Sequence, residues 1–458
     1  MSKSEVTLEH FYIFNSTYAK KEGEEKNKIL YYHPPKTDID SQIRNIGLTE
    51  AIIKFTESFN PGQTCDYCHT HKTRQIYYQP EPNFWMVMII GVPYITKEKD
   101  GNEYMEYQSD EVLNSTCQSI TKQMYNIFRL FMGSFNTILN EPDYGSVTLL
   151  RHKLDHFYSR YLSSLKLNNC DIVDVFQGLQ FLPLDKVTFL RVQCFMNLLE
   201  STFPQIQYTA FLYNDQLVWS GLEPESMQVV YSYLVNTLLP DYLEKELEGG
   251  SMPNHSISPF TTSHYGKFIT GPSSVNDVKK LPKVFIYHSI KPTQLYLIVY
   301  RTLSATVCLF VNNKINSLFY SSLDAFLGVQ LTSLVNEVAE ECSKHAIMAT
   351  DSGTKYLYFN KLNLAYKSTM HGDNRRFLFT NATPEVLRII TDINFDSQRL
   401  NETSEIIIKT MSDYWIVGKL SNLREFYVVM QNKNANIIEI DEEVKRLCEQ
   451  HLKSIFFH

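Results

Sequence analysis

The sequence predicts an α/β chain, α+β in the order of its elements, built from three consecutive units on one plan. Three observations predict it. Two short strands, a helix, further strands and a closing helix recur three times along 458 residues. Aromatic residues reach 13%, led by 29 Tyr and 28 Phe, a content that favours sheets packed under helices over a plain helical bundle. The length is that of about three ordinary domains.

The first unit opens with the strands "EHFYIFN" and "NKILYYH", joined by the charged loop "STYAKKEGEEK". The helix "DSQIRNIGLTEAIIKFTESFN" follows. Its Leu48, Ile52, Phe55 and Phe59 fall at i, i+4, i+7 and i+11, which predicts a stripe facing the core. "TRQIYYQ" and "NFWMVMIIGV" are strands, the second so apolar that burial on both faces is expected. Helices over about 109–140 and 145–166 close the unit.

In the second unit, Tyr208–Tyr213 and Gln216–Ser220 flank Asn214-Asp215, a tight-hairpin signature. Val230, Leu234 and Leu238 then recur at helical spacing between Pro224 and Pro240. Four strand-like runs lead to a long helix from Leu318 to about Lys344. The third unit repeats the order: a hairpin, Tyr356–Phe359 with Leu362–Tyr366, and a helix with Thr383 as N-cap and Pro384 at its first position. Three strands in "SEIIIKTMSDYWIVGKLSNLREFYVVMQ" and a closing helix complete it. The expected division is 8–166, a helical connector 167–206, 207–345 and 355–458, with the polar stretch 244–264 exposed.

The net charge of −7 and pI near 6.0 argue against a nucleic-acid partner, which calls for a basic surface. Eight scattered cysteines, five unused-looking sequons, no charged-then-apolar leader and no apolar run of 18 residues set the expectation of a cytosolic protein in a reducing compartment.

One short stretch invites chemistry: Cys65-Asp66-Tyr67-Cys68-His69-Thr70-His71. Its spacing fits a c-type haem, a zinc knuckle or a redox pair. Against these stand the absent export signal, the lack of a second knuckle and a position between a loop and a strand, so a solvated loop without ligand is expected. His152 and His156, four apart on a helix, are equally explained by a polar face. No phosphate-binding Gly-rich loop, nucleophile elbow or His-Glu-x-x-His run occurs. No bond-making chemistry, metal or cofactor is expected.

Several long stretches carry a resemblance: "NKILYYHP", "IRNIGLTEAIIKFT", "NFWMVMII", "YTAFLYNDQLVWSGL", "GKFITGP", "LIVYRTLSATVCLFV", "MSDYWIVGK" and "NKNANIIE". Over nearly the whole chain, in the same order, they resemble the Ccz-one family, subunits of the Mon–Ccz Rab exchange factors. The resemblance implies three longin domains, each a five-stranded antiparallel sheet with flanking helices. It implies a Mon-one subunit as partner, a late-endosomal Rab GTPase (Rab seven) as target, and a third subunit of propeller-plus-solenoid type. It implies no catalytic residues, only a surface shared by the two first longin domains. A longin scaffold or tether without exchange activity is the alternative.

Two residue sets follow as expectations. On the helix 41–59, Arg44, Asn45, Thr49 and Lys54 fall off the predicted core stripe and are candidates for the Rab platform. In the third unit, Lys367, His371, Arg375 and Arg376 form the most basic local turn and are candidates for contact with phosphoinositide membranes, where each basic residue contributes about 1 kcal/mol.

Overall fold

The computed structural model describes residues 4–19, 21–62, 64–99, 102–141, 145–165, 167, 175–242, 266–272, 281–288, 291–312, 317–348, 354–370, 383–399 and 404–451. The chain divides into two compact units. Unit 1 is Met1–Phe176 with Arg376–Leu378 and Ala382–Asp396, and unit 2 is the remainder.

In unit 1, β1 (Thr7–Asn15), β2 (Ile29–His33), β3 (Tyr67–His69), β4 (Thr73–Glu81) and β5 (Phe84–Gly91) form one antiparallel sheet in the order β2-β1-β5-β4-β3. α1 (Ile39–Phe59) covers one face. α2 (Asn114–Met132), α3 (Phe135–Leu139) and α4 (Val147–Ser164) cover the other. β5 is buried throughout, as its composition predicts, and the two-residue period of a strand divides its side chains. Phe84, Met86, Met88 and Ile90 enter the core under α2–α4, while Trp85, Val87 and Ile89 enter the core under α1. A separate hairpin, β6 (Tyr94–Lys99) with β7 (Asn102–Tyr107), follows β5 and is absent from the sequence-based expectation.

Unit 2 begins with β8 (Leu179–Gln180) and α5 (Lys186–Thr202). β9 (Ile206–Tyr213) and β10 (Gln216–Ser220) make the expected hairpin. Asn214 and Asp215 take φ of 45° and 65°, the left-handed pair that a tight two-residue turn requires. α6 (Pro224–Tyr233) runs on into a π-helical turn at Leu234–Leu238. β11 (Gly266–Thr270), β12 (Lys283–His288), β13 (Lys291–Thr302) and β14 (Ala305–Val311) complete a sheet ordered β10-β9-β14-β13-β11. The long β13 pairs with β11 at its C-terminal end and with β12 at its N-terminal end. α7 (Ser317–Met348) contains a span, Leu318–Lys344, long and apolar enough to cross a membrane; its Leu323, Leu327, Leu331, Leu334 and Val338 instead pack into the core of this sheet with α5.

β15 (Lys355–Asn360), β16 (Ala365–Ser368), β17 (Ser404–Lys409), β18 (Tyr414–Ser421) and β19 (Arg424–Gln431) form the last sheet, with α9 (Ile437–His451) over its core. Its order is β17-β18-β19-β15-β16-β8. β8, from the stretch expected to be a purely helical connector, adds a two-residue parallel edge to β16. Gly178 permits this approach: a Cβ there would come within 2.2 Å of Tyr366 Cβ. α8 (Pro384–Arg399) starts at the expected proline, but the Thr383 hydroxyl has no hydrogen-bond partner among the described residues, so it does not cap the helix. Most of α8, Pro384–Asp396, is grouped with unit 1, while its sequence lies in the stretch 355–458 expected as the third domain.

Candidate functional site

α1 begins at Asp38, whose carboxylate accepts from Ser41 N at 2.9 Å. The Ser41 side-chain and backbone bonds hold the Asp38 carboxyl below its ordinary range. The inner face of the helix is Ile46, Thr49 and Ile53, packed with Tyr12, Tyr32, Tyr77, Trp85 and Val87. Polar anchors fix its rotation. Thr49 Oγ1 bonds the buried Tyr12 hydroxyl at 2.7 Å, and Asn45 Nδ2 donates to Tyr32 OH at 2.7 Å. The Tyr12 and Tyr32 rings stack with centroids 5.2 Å apart. Lys28 Nζ meets Glu50 at 2.6 Å, both largely shielded from water. Burial raises the Tyr12 hydroxyl far above its ordinary pKa, so it stays neutral and donates.

This orientation overturns the predicted core stripe. Leu48 is 53% exposed, Phe55 64% and Phe59 74%; only Ile52 of the four is partly buried. Leu48, Ala51, Phe55 and Phe59, at i, i+3, i+7 and i+11, form an outward apolar face, with the Phe55 and Phe59 rings edge-on at 4.9 Å. The helix is apolar on two sides. Sequence periodicity selected the side with larger residues, whereas the anchors on Tyr12 and Tyr32 turn that side outward.

The platform candidates divide accordingly. Arg44 and Lys54 are exposed and border the apolar face, Arg44 one turn before Leu48. Arg44 Nη2 rests on Ser41 Oγ at 2.9 Å. Thr49 is 1% exposed and spent on Tyr12, so it is not a surface residue, and Asn45 is half-buried and bonded to Tyr32. Of the membrane candidates, Lys367 is exposed on β16, with its ammonium 5.8 Å from the Tyr356 ring centroid. His371, Arg375 and Arg376 lie outside the described residues.

The stretch Cys65–His71 is not the expected solvated loop. Tyr67–His69 is the edge strand β3, paired to β4. Its thiols and its imidazoles have separate partners. Cys65 and Cys68 are free thiols packed against the core under α1, and burial raises the Cys65 thiol. His69 Nε2 contacts Asn114 Oδ1 at 2.9 Å, and His71 lies edge-on to Tyr107. His152 and His156 are exposed on α4. Among the described residues no group of three or more His, Cys, Asp or Glu converges for a metal.

Comparison with known proteins gives the chain a family. A model described as the first longin domain of INTU, CCZ1 and HPS4 matches residues 8–133, the part of unit 1 that carries α1. Models for Intu longin-like domains 2 and 3 match 206–328 and 350–447. The chain is 45% identical over 460 residues to a vacuolar fusion protein CCZ1 homolog of Nematostella vectensis, covering 99% of both. The corresponding protein of Xenopus laevis is 43% identical over 98% of this chain and 97% of its own. That of Dictyostelium discoideum is 30% identical over 99% and 98%. The three-longin fold and these full-length likenesses place the chain in one family: it belongs to the CCZ1 family of longin-domain proteins.

Proposed function

We propose that the chain is one subunit of a heterodimeric or heterotrimeric guanine-nucleotide exchange factor that activates the late-endosomal Rab GTPase. Its second subunit is a longin protein of the Mon-one type, with a propeller-plus-solenoid protein as the third. The name of its relatives, vacuolar fusion protein, supports a role in fusion with the vacuole or lysosome, and with it endosome maturation and autophagy.

The observation that carries the reading is the outward apolar face of α1. Covering a Leu or Phe side chain fully contributes about 1.5–3 kcal/mol, so Leu48, Phe55 and Phe59 together offer several kcal/mol to a partner surface. The domain that bears them is the one whose family model names CCZ1. The occupant we assign to this face is a helix of a second longin domain, and Arg44 and Lys54 then sit at the rim of the joint surface, where charges steer a GTPase. The activity needs no side-chain nucleophile. A factor that binds the nucleotide-free GTPase more tightly weakens nucleotide binding by the same ratio. It does so by holding switch loops, which are bistable, away from the phosphates. Recruitment to phosphoinositide membranes at Lys367, His371, Arg375 and Arg376 belongs to the same reading.

The test is release of a fluorescent GDP analogue from the late-endosomal Rab. The chain with its Mon-one subunit accelerates release; Arg44→Glu with Lys54→Glu slows it at least threefold while the heterodimer stays intact on gel filtration. An intact wild-type heterodimer that leaves release at the intrinsic rate overturns the exchange reading in favour of a tether. Normal release by the double variant removes α1 from the platform.

A further inference from the structure

Unit 1 contains a cavity of about 300 Å³ that the exchange reading does not use. It is lined by Tyr67 and His69 of β3, Arg74 of β4, Ser109 and Asp110, the first turns of α2 and, from α8, Arg388, Thr391, Asp392 and Phe395. All of these residues fall within unit 1.

Two independent features point to an anion. The first is Arg74. It is 6% exposed, and among the described residues it meets no carboxylate at ion-pair distance. Nη1 donates to Thr70 O at 3.3 Å and Nη2 to Ser109 O at 3.2 Å, both neutral carbonyls, and Nε has no partner. Burying this cation is costly: desolvation lowers its pKa, and the charge of Asp110, itself ion-paired to Arg388, offsets that only in part. The second is α2. This 19-residue helix has Leu113 at its cap position, with no side-chain oxygen to accept from the first-turn N–H groups. Leu113, Asn114, Ser115 and Gln118 open that uncapped, partly positive end onto the cavity. At the rim, Arg388 is paired to Asp110 at 2.8 Å, with both side chains at least half exposed, so the pair is weak and exchangeable. Asp110 and Asp392 are the acidic groups that face an incoming anion. They disfavour polyphosphates, so a single dianion is the ligand that suits two guanidinium groups here.

We propose that this cavity binds a single phosphomonoester group, held by Arg74, Arg388 and the N-terminus of α2, and that occupancy fastens α8 to the rest of unit 1. The shared chemistry is the phosphoryl dianion, from a small soluble phosphomonoester or from a lipid headgroup.

The experiment uses the full chain. Titration calorimetry with inorganic phosphate and glycerol 2-phosphate is run beside flotation with neutral vesicles and with vesicles containing phosphatidic acid. Saturable binding is expected in one arm, and that arm identifies the source. Arg74→Gln weakens it at least tenfold and Arg388→Gln severalfold. Asp110→Asn, which removes a competing carboxylate and frees Arg388, tightens it at least twofold, an outcome that misfolding does not produce. Ligand also slows hydrogen exchange across Val386–Phe395. Absence of saturable binding in every arm, or affinities unchanged by Arg388→Gln and Asp110→Asn, overturns the proposal. Neither result depends on Rab or on the Mon-one subunit.

Discussion

α1 of unit 1 and α7 of unit 2 both read as apolar helices, yet they spend their apolar residues differently. α7 turns Leu323, Leu327, Leu331, Leu334 and Val338 into its own core. α1 buries Ile46, Thr49 and Ile53, with Ile52 partly covered, and leaves Leu48, Phe55 and Phe59 in solvent. Apolar spacing therefore marks a face that must be covered, not what covers it. On α7 the cover is the same chain. On α1 the polar anchors Thr49–Tyr12 and Asn45–Tyr32 fix which side the chain keeps for itself.

Four measurements break or sharpen that contrast. The largest effect is expected from Leu331→Ala. Leu331 is fully buried, and truncating such a side chain costs about 2–5 kcal/mol. A large drop in the denaturant midpoint of the unit 2 transition checks it, and a silent substitution would place the core of unit 2 elsewhere. Next, Phe55→Ser with Phe59→Ser leaves the stability of the isolated chain within about 0.5 kcal/mol, as surface changes do. It weakens pairing with the Mon-one subunit at least tenfold, about 1.4 kcal/mol, by surface-immobilised binding. Full-strength pairing by this variant removes the face from the interface.

Smaller is Thr49→Val, which keeps the shape and deletes the bond to Tyr12. A loss of about 1 kcal/mol is expected, because the Tyr12 hydroxyl retains the Asn45 carbonyl at 3.4 Å. A neutral or stabilising result would mean that packing alone sets the rotation of α1. The smallest effect belongs to Cys65→Ser with Cys68→Ser. Pairing is expected to stay unchanged, and elemental analysis of the wild type to find no stoichiometric zinc. Zinc that disappears in the variant, with a lowered melting temperature, would reinstate a metal site.

Much of the fold was legible in the sequence, because its signals are local. Asn214-Asp215 dictates a hairpin wherever the flanking strands go, and the unbroken apolar run of β5 has no reading other than burial on both faces. The β6–β7 hairpin escaped because "YITKEK" and "NEYMEY" are polar on both sides, so no alternation with a core face marks them. The site was half legible. Arg44 and Lys54 are exposed, but the core stripe from which their exposure was read is itself turned outward. Thr49 is not exposed, since its burial follows from a tyrosine 37 residues away. Arg74 gave no signal at all: in "TRQIYYQ" it reads as an ordinary strand cation, and only the fold buries it.

The assignment of residues 382–396 to unit 1 bears on how this protein can be taken apart. The polypeptide enters unit 2 at Gln177, returns to unit 1 for most of α8, and finishes in unit 2. No single cut yields both bodies whole. A fragment ending before residue 177 lacks a helix of its own unit. A fragment starting there carries that helix with Val386, Ile390 and Ile393, buried in the intact chain, deprived of the rest of unit 1. The stretch matched as the third longin-like domain, residues 350–447, thus includes a helix that is grouped with unit 1. A cut at residue 177 therefore changes the surroundings of α8 as well as removing the first longin domain, and loss of a partner by such a fragment has two causes to separate.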